Sequence, residues 1–340
     1  IITVSKDLVV AGPGLLQKIT EKKDKATYHW KTNYTINNYS LVFNMGDYKV
    51  VSKNYTTVNG KNVPMQFYVL QEHADKAAHL LEILEQSTRV QEKYFGEYPW
   101  TKEKIAIAET PHLGMEHQTM NAYGNKFRYV QIGGKDFDGL LHHELGHEWW
   151  GNKVTVNDWA DFWIQEGICS YGDGLYTLEM EGESAYIKWF KNSALHFQNK
   201  KPIVLGKDID EETAYHGDIY GKGAFFMHTL RYVLGDSLFF PTLKQLATDT
   251  RYSYDNLVNT NDVESLFSKN AGIDLKPLFN LYLRTTNKLE IAVKRTGSAQ
   301  YEISLMNLDM PVPLDIVTNN GMKKSMVDKK EDQHQYHERK

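Results

Sequence analysis

Between Leu140 and Asn152 the chain reads LLHHELGHEWWGN, with His143 and His147 four residues apart and Glu144 beside the first. On an α-helix, positions i and i+4 lie one turn apart on one face, so both imidazoles can point at a single ion. Glu144 then stands next to that ion without ligating it, placed as a general base toward water. Two histidines that only hydrogen-bond on a helix face share this spacing, so the pentad alone leaves both readings open. His142 is rotated by about 100° from His143 and is expected to stay off the ion.

A catalytic zinc needs a third protein ligand and an open fourth position. The route through a downstream histidine is closed, because Trp150 and Lys153 stand where it requires Gly and His. A glutamate from a following helix is the other route. Glu166, in WIQEGICSY, stands with 18 residues between it and His147, enough for a turn, a short strand such as KVTVND and a helix start. The single cysteine, Cys169, excludes an intrachain disulfide and any cysteine-based metal cluster, and is expected to be a small buried residue.

The elements that must position these groups follow from periodicity. From Ile1 to His73 the text is strand-like: ATYHWKTNYTI, SLVFNMGDYKVV and MQFYVL alternate apolar with polar residues around turns such as VNGKN. At Ala74 the period becomes helical, with Ala77, Leu80, Leu81, Leu84 and Val90 recurring until Gly96 and Pro99 break it. KIAIAET reads as a strand, and GMEHQTM as an edge strand or loop beside a cleft. Helical text, including DFDGLLHHELGHEWWG, runs from Phe137 to about residue 285, and alternation returns from Thr286. The expected division is a β region over 1–73, a mainly helical catalytic domain over 74–285, and a short β segment with a charged tail over 286–340; the fold class is α+β.

Hydrophobic content of 41% with 24% charged residues gives the 340-residue chain a substantial core, and a formal charge of −4 offers nothing for nucleic acid or an anionic membrane. No apolar run reaches the roughly 18 residues of a membrane span. The opening IITVSKDLVV has neither a basic leader segment nor Met, so the chain reads as a fragment or processed form, and destination stays open. Sequons at Asn33, Asn38 and Asn54 read as chance matches in Asn- and Thr-rich strands. The tail SMVDKKEDQHQYHERK reads as solvated, with His334 and His337 no more than adventitious ligands.

HELGHEWWGN followed by WIQEGICSY resembles the zinc signature of the gluzincin aminopeptidases, the family that includes aminopeptidase N and leukotriene hydrolase. FGEYPWTK, GMEHQTM and IYGKGAFFMHTLR fall in that family's order, so the resemblance covers roughly residues 28 to 285. It implies a thermolysin-like catalytic domain following the end of an N-terminal β domain, and one Zn²⁺ per chain held by His143, His147 and Glu166. It further implies Glu144 as general base and Tyr220, in Tyr-x-Lys-Gly, as hydrogen-bond donor to the oxyanion. Gly114, Met115 and Glu116 are the implied substrate-binding residues, with Glu116 on the free α-ammonium of a peptide. Lys222 and Gly223 are expected to serve helix entry and close packing, and Tyr215 is a candidate for the cleft wall.

The pattern departs from the family at Leu113, where Gly is usual, and at His117, where Asn is usual, which puts the first subsite's shape in doubt. The family's amine-holding glutamine from the N-terminal domain finds no assignable match. Glu148 and Asp161, with Asp173 as a further candidate, are the carboxylates expected on the outer nitrogens of the zinc histidines. Trp149 and Trp150 are expected to pack behind the site, while His196, His216 and His228 lack ligand spacing. The function implied is removal of single residues from unblocked peptide N-termini. A zinc endopeptidase and a non-catalytic peptide-binding module are the alternatives. Export to the periplasm or cell exterior is favoured over the cytoplasm, and the oligomeric state is open.

Overall fold

The computed structural model describes residues 1–298, 300–318 and 321–329; the tail with His334 and His337 lies outside the described residues. Seven strands come first: β1 (Ile2–Ser5), β2 (Val9–Ala11), β3 (Leu15–Lys22), β4 (Lys25–Lys31), β5 (Asn44–Gly46), β6 (Tyr48–Thr56) and β7 (Asn62–Leu70). β1, β4 and β3 form an antiparallel sheet in that order, and β2 pairs with β5. β6 and β7 form the hairpin that VNGKN predicts, with Tyr48 opposite Leu70 and Thr56 opposite Asn62.

Helix α1 (Ala77–Phe95) follows, and then β8 (Ile105–Glu109), β9 (Gly114–Met115) and β10 (Asn121–Tyr123). β8 lies parallel to β7, so one five-stranded sheet runs β6-β7-β8-β10-β9. The change of period at residue 74 therefore marks the join of strand to helix, and the sheet continues across it. Val63, Met65, Phe67 and Val69, all fully buried, are spaced by two along β7 and share one core with Leu80 and Leu84 of α1. β9 is the sheet's edge, as GMEHQTM suggested, and pairs antiparallel with β10.

β11 (Val130–Ile132) and β12 (Lys135–Phe137) form a ribbon leading into α2 (Gly139–Gly146). Asp138 caps α2 by accepting from Leu141 N. The helix is shorter than DFDGLLHHELGHEWWG suggested. Trp149 N and Trp150 N both return to the Gly146 carbonyl, and Gly151 takes φ +123°, so the chain leaves the helix there. His147 nevertheless keeps right-handed helical angles (φ −65°, ψ −15°), so the four-residue phase to His143 survives. KVTVND forms isolated bridges, Trp150 with Val154 and Val156 with Val258, in place of the expected strand.

The helical part continues with α3 (Trp163–Glu181), α4 (Glu183–Trp189), α5 (Glu211–Ala214), α6 (Asp218–Leu234), α7 (Asp236–Thr248), α8 (Thr260–Ala271) and α9 (Lys276–Leu283). Two hairpins close the described chain: β13 (Ile291–Arg295) with β14 (Tyr301–Leu305), and β15 (Val312–Thr318) with β16 (Gly321–Val327). The architecture is the α+β arrangement that the sequence predicts, a helical domain with β segments before and after it. Among the described residues, no helix is long and apolar enough to cross a membrane.

Candidate metal centre and peptide cleft

α2 and α3 bring His143, His147 and Glu166 together. His143 Nε2 and His147 Nε2 are 3.3 Å apart, and each is 3.3 Å from Glu166 Oε2. Tetrahedral ligands about 2.0–2.1 Å from zinc are about 3.3–3.4 Å from one another, so this triangle has the dimensions of a zinc ligand set. The outer nitrogens are occupied elsewhere. His147 Nδ1 donates to the Trp150 carbonyl at 2.9 Å, and His143 Nδ1 to Asp173 Oδ2 at 3.2 Å, which leaves both Nε2 lone pairs for a metal.

The electrostatics favour a cation at this point. Burial would lower both histidines, yet Asp173 and Glu166 raise His143 and Cys169, Glu116 and Glu166 raise His147, each well above its usual value. Burial would raise Glu166, and the two imidazoles instead hold it far below the usual carboxylate range. A site that holds positive charge on its imidazoles in this way suits a divalent ion that replaces those protons.

Glu144 is buried beside the triangle, and burial pushes its carboxyl up to about 7 against the pull of His147 and His143. A Cβ at Gly114 would overlap this carboxylate, which explains a glycine on the β9 edge directly over Glu144. Acidic oxygens of Glu116 and Glu144 and a ring nitrogen of His147 all lie within 4.8 Å of one another. Glu116 thus faces Glu144 and His147, in the loop that directly follows Met115 at the end of β9.

The loop bearing Glu116 is fastened to the end of α2. Asn152 Nδ2 donates to the Glu116 carbonyl at 3.0 Å and to Glu148 Oε2 at 3.2 Å, and Asn121 Nδ2 donates to the Glu144 carbonyl at 3.1 Å. Thr119, at φ +59°, sits in a backbone region unusual for a β-branched residue. Its N–H donates to Glu148 Oε1, and its Oγ1 accepts from Gly14 N, both at 2.9 Å. Glu148 also accepts from Trp100 Nε1 at 2.6 Å. It therefore anchors the loop that bears Glu116, correcting the expectation that it holds a zinc histidine. Asp161 is likewise displaced from that role, since it accepts from Thr260 N and Oγ1. Asp173 is the carboxylate on the ligand.

Tyr220 reaches the site through a close approach of helices. Each of Gly167 on α3 and Gly223 on α6 would place a Cβ 2.8 Å from the other's Cα, so neither position tolerates a side chain without moving a helix. Glu166 and Tyr220 are respectively next to and one turn from this contact, and the Tyr220 ring stacks on His143 with centroids 6.0 Å apart. Its hydroxyl donates to the Tyr215 hydroxyl at 2.9 Å, and burial followed by the charge of Glu166 raises the phenol well above its usual value, so it remains a donor. Gly223→Ala is expected to cost about 1–3 kcal/mol by overpacking and to lower kcat by moving Tyr220. Denaturant unfolding and steady-state kinetics on the variant check both effects.

The other assignments divide simply. Lys222 is buried with its ammonium on the Thr285 carbonyl at 2.8 Å, and Tyr215 is exposed at the cleft beside Tyr220. Trp149 and Trp150 are fully buried behind the site, and His142 turns away from the triangle toward Gln91 and the Gly172 carbonyl. Cys169 is buried, 3.3 Å from His147 Nδ1. Tyr39 was not singled out from the sequence. Its hydroxyl donates to Glu116 Oε1 at 2.8 Å while its ring meets Trp159 edge-on at 5.2 Å. Tyr39 lies in an irregular segment, where periodicity carries no signal. Tyr39→Phe is expected to raise KM for free-amine peptides about threefold to tenfold with kcat little changed, the range set by one lost hydrogen bond; an equal fall in kcat would assign the residue to folding.

Residues 77–282 of the 340 match the model for the Peptidase family M1 domain. Aminopeptidase N of Escherichia coli (strain K12) is 25% identical over 227 residues, covering 62% of this chain and 26% of that protein. Tricorn protease-interacting factor F2 of Thermoplasma acidophilum is 21% identical over 338 residues, covering 92% and 42%. The chain spans less than half the length of such curated relatives. Its fold recurs among solved structures. An M1 zinc metallopeptidase mutant of Deinococcus radiodurans bound to a Tyr-Ser-Ala substrate gives a TM-score of 0.69 at 21% identity, over 85% of this chain and 63% of that one. Legionella pneumophila aminopeptidase A in complex with aspartic acid gives 0.76 at 17% identity, over 96% and 40%. The family model takes in the whole ligand triangle, Glu144, Glu116 and Tyr220, and the chain belongs to peptidase family M1.

Proposed function

We propose that this chain carries the catalytic centre of a zinc aminopeptidase that releases the first residue of peptides with a free α-amine. The observation that supports this most is the spacing of Glu116 from Glu144 and His147. An α-ammonium nitrogen lies about 2.5 Å from its own carbonyl carbon and about 2.8 Å from a paired carboxylate oxygen. An amine on Glu116 thus brings the first carbonyl to the base and the metal, with acidic and imidazole atoms all within 4.8 Å of one another. The next carbonyl would be roughly 3.5 Å further along an extended chain.

Zinc, when bound by His143, His147 and Glu166, supplies Lewis acidity that polarises a carbonyl and brings the pKa of water down to about 7. Glu144 takes the proton of the attacking water on a carboxylate oxygen and passes it to the departing amine. The Tyr220 hydroxyl donates to the carbonyl oxygen as that atom gains charge. The β9 edge offers backbone groups to an extended peptide, which supports the register set by Glu116.

Free and N-acetylated aminoacyl amides, compared in the wild type and in Glu116→Ala, test the assignment. Turnover of the free amine alone, with KM raised in the variant, is expected. Equal cleavage of the acetylated substrate would instead indicate a zinc endopeptidase, and zinc-loaded protein that binds peptides without turnover would indicate a binding module.

A further inference from the structure

A cavity of about 530 Å³, separate from the metal centre, opens where the 57–61 turn, the end of α1 and residues 153 and 254 meet. Four lysines line it, Lys61, Lys102, Lys153 and Lys244, against one carboxylate, Glu97. Glu97 is already engaged: Lys61 Nζ donates to its Oε2 and Thr57 Oγ1 to its Oε1, both at 2.7 Å. Lys61 is thereby matched, and three ammonium groups remain.

Lys153 is the informative one. The residue is only 5% exposed, yet among the described residues its Nζ has no hydrogen bond and no ion pair. It lies over the face of Tyr254, 5.5 Å from the centroid, and feels at longer range the charge of Glu97, which Lys61 already pairs. A cation whose side chain is mostly withdrawn from water, with its nitrogen open only toward the cavity, gains from an anionic partner there, and an aromatic face at that range supplies little of that. Burial lowers the ammonium to about 8, which leaves it charged at neutral pH. Lys102 is exposed with its Nζ 5.9 Å from the Tyr34 ring, and Lys244 is exposed at the rim. The Tyr34 and Tyr254 rings lie parallel to within 7°, giving the cavity an aromatic wall.

We propose that this cavity binds an oxyanion of the phosphate class, with the Lys153 ammonium as the buried donor and Lys102 and Lys244 closing over it. Three uncommitted cations match a dianion with three acceptor oxygens better than a single carboxylate. The cavity is larger than a bare ion needs, so a monoester whose organic part lies on the tyrosine wall also fits. Occupancy would bear on the loop that carries Glu116, because the adjacent Asn152 holds it, and Tyr254 N donates to the Lys153 carbonyl at 2.9 Å.

Titration calorimetry of the zinc-loaded chain with inorganic phosphate and with phenyl phosphate tests this, using the wild type, Lys153→Met and the exposed pair Lys102→Ala/Lys244→Ala. Saturable binding that weakens with salt is expected, with Kd raised about tenfold or more in Lys153→Met and severalfold in the exposed pair. The exposed pair keeps the test decisive should Lys153→Met fail to fold. Tighter binding of phenyl phosphate assigns the ester and equal binding the free ion. Unchanged Kd in the variants, as when phosphate sits on the metal instead, overturns the proposal, and so does the absence of saturable binding in the wild type.

Discussion

Replacing Glu144 by glutamine is expected to leave the metal bound while lowering kcat by about 10²–10⁴, the range of a lost general base. The structure separates the two properties. Glu144 is not part of the 3.3 Å triangle of His143, His147 and Glu166, and its neighbours are Gly114 above and the imidazoles beside it. Glutamine has nearly the same shape, so the packing against Gly114 persists. What it lacks is an oxygen able to hold a proton between its loss from water and its arrival on the leaving amine. Zinc content and kcat measured on the same preparation decide the matter: retained zinc with unchanged kcat would remove Glu144 from the chemistry, and lost zinc would make it part of the ligand set.

Tyr220→Phe carries the second-largest expected effect, a fall in kcat of about 10²–10³ with KM nearly unchanged, as for one oxyanion donor. The ring's place is secured by packing and not by its hydroxyl. It stacks on His143, and the Gly167–Gly223 contact sets the distance between α3 and α6. Phenylalanine should therefore occupy the same position, leaving Tyr215 to lose one hydrogen-bond partner. A variant of wild-type stability with a rise in KM alone would place the phenol in substrate binding and exclude it from stabilising developing charge.

How much of this was legible follows from how local each feature is. His143 and His147 share a face by four-residue helical phase with Glu144 beside them, while the length of the link only permits Glu166, which the family resemblance singles out. Asp173 was within reach too, since it lies seven residues after Glu166 on α3 and shares its face. Glu148 misled because it follows a ligand directly: the chain has left α2 by then, and the turn through Gly151 sends its carboxylate toward Trp100 and Thr119. Asp161 points at Thr260, 99 residues away, a partner no spacing rule could supply. Tyr39 reaches Glu116 across 77 residues from a segment without periodicity. The parallel pairing of β7 with β8 across α1 is equally non-local, so the sheet's continuity past residue 74 was not to be read from a change of period.

Metal occupancy coupled to turnover bears most directly on the central claim. The chain is stripped with a chelator, titrated with zinc and assayed on an unblocked aminoacyl amide at each point. A break at one zinc per chain, with activity rising in proportion to it and absent from Glu166→Ala at the same zinc concentration, is the predicted result. Turnover that survives complete removal of metal, or zinc bound with full affinity in Glu166→Ala, would contradict the account.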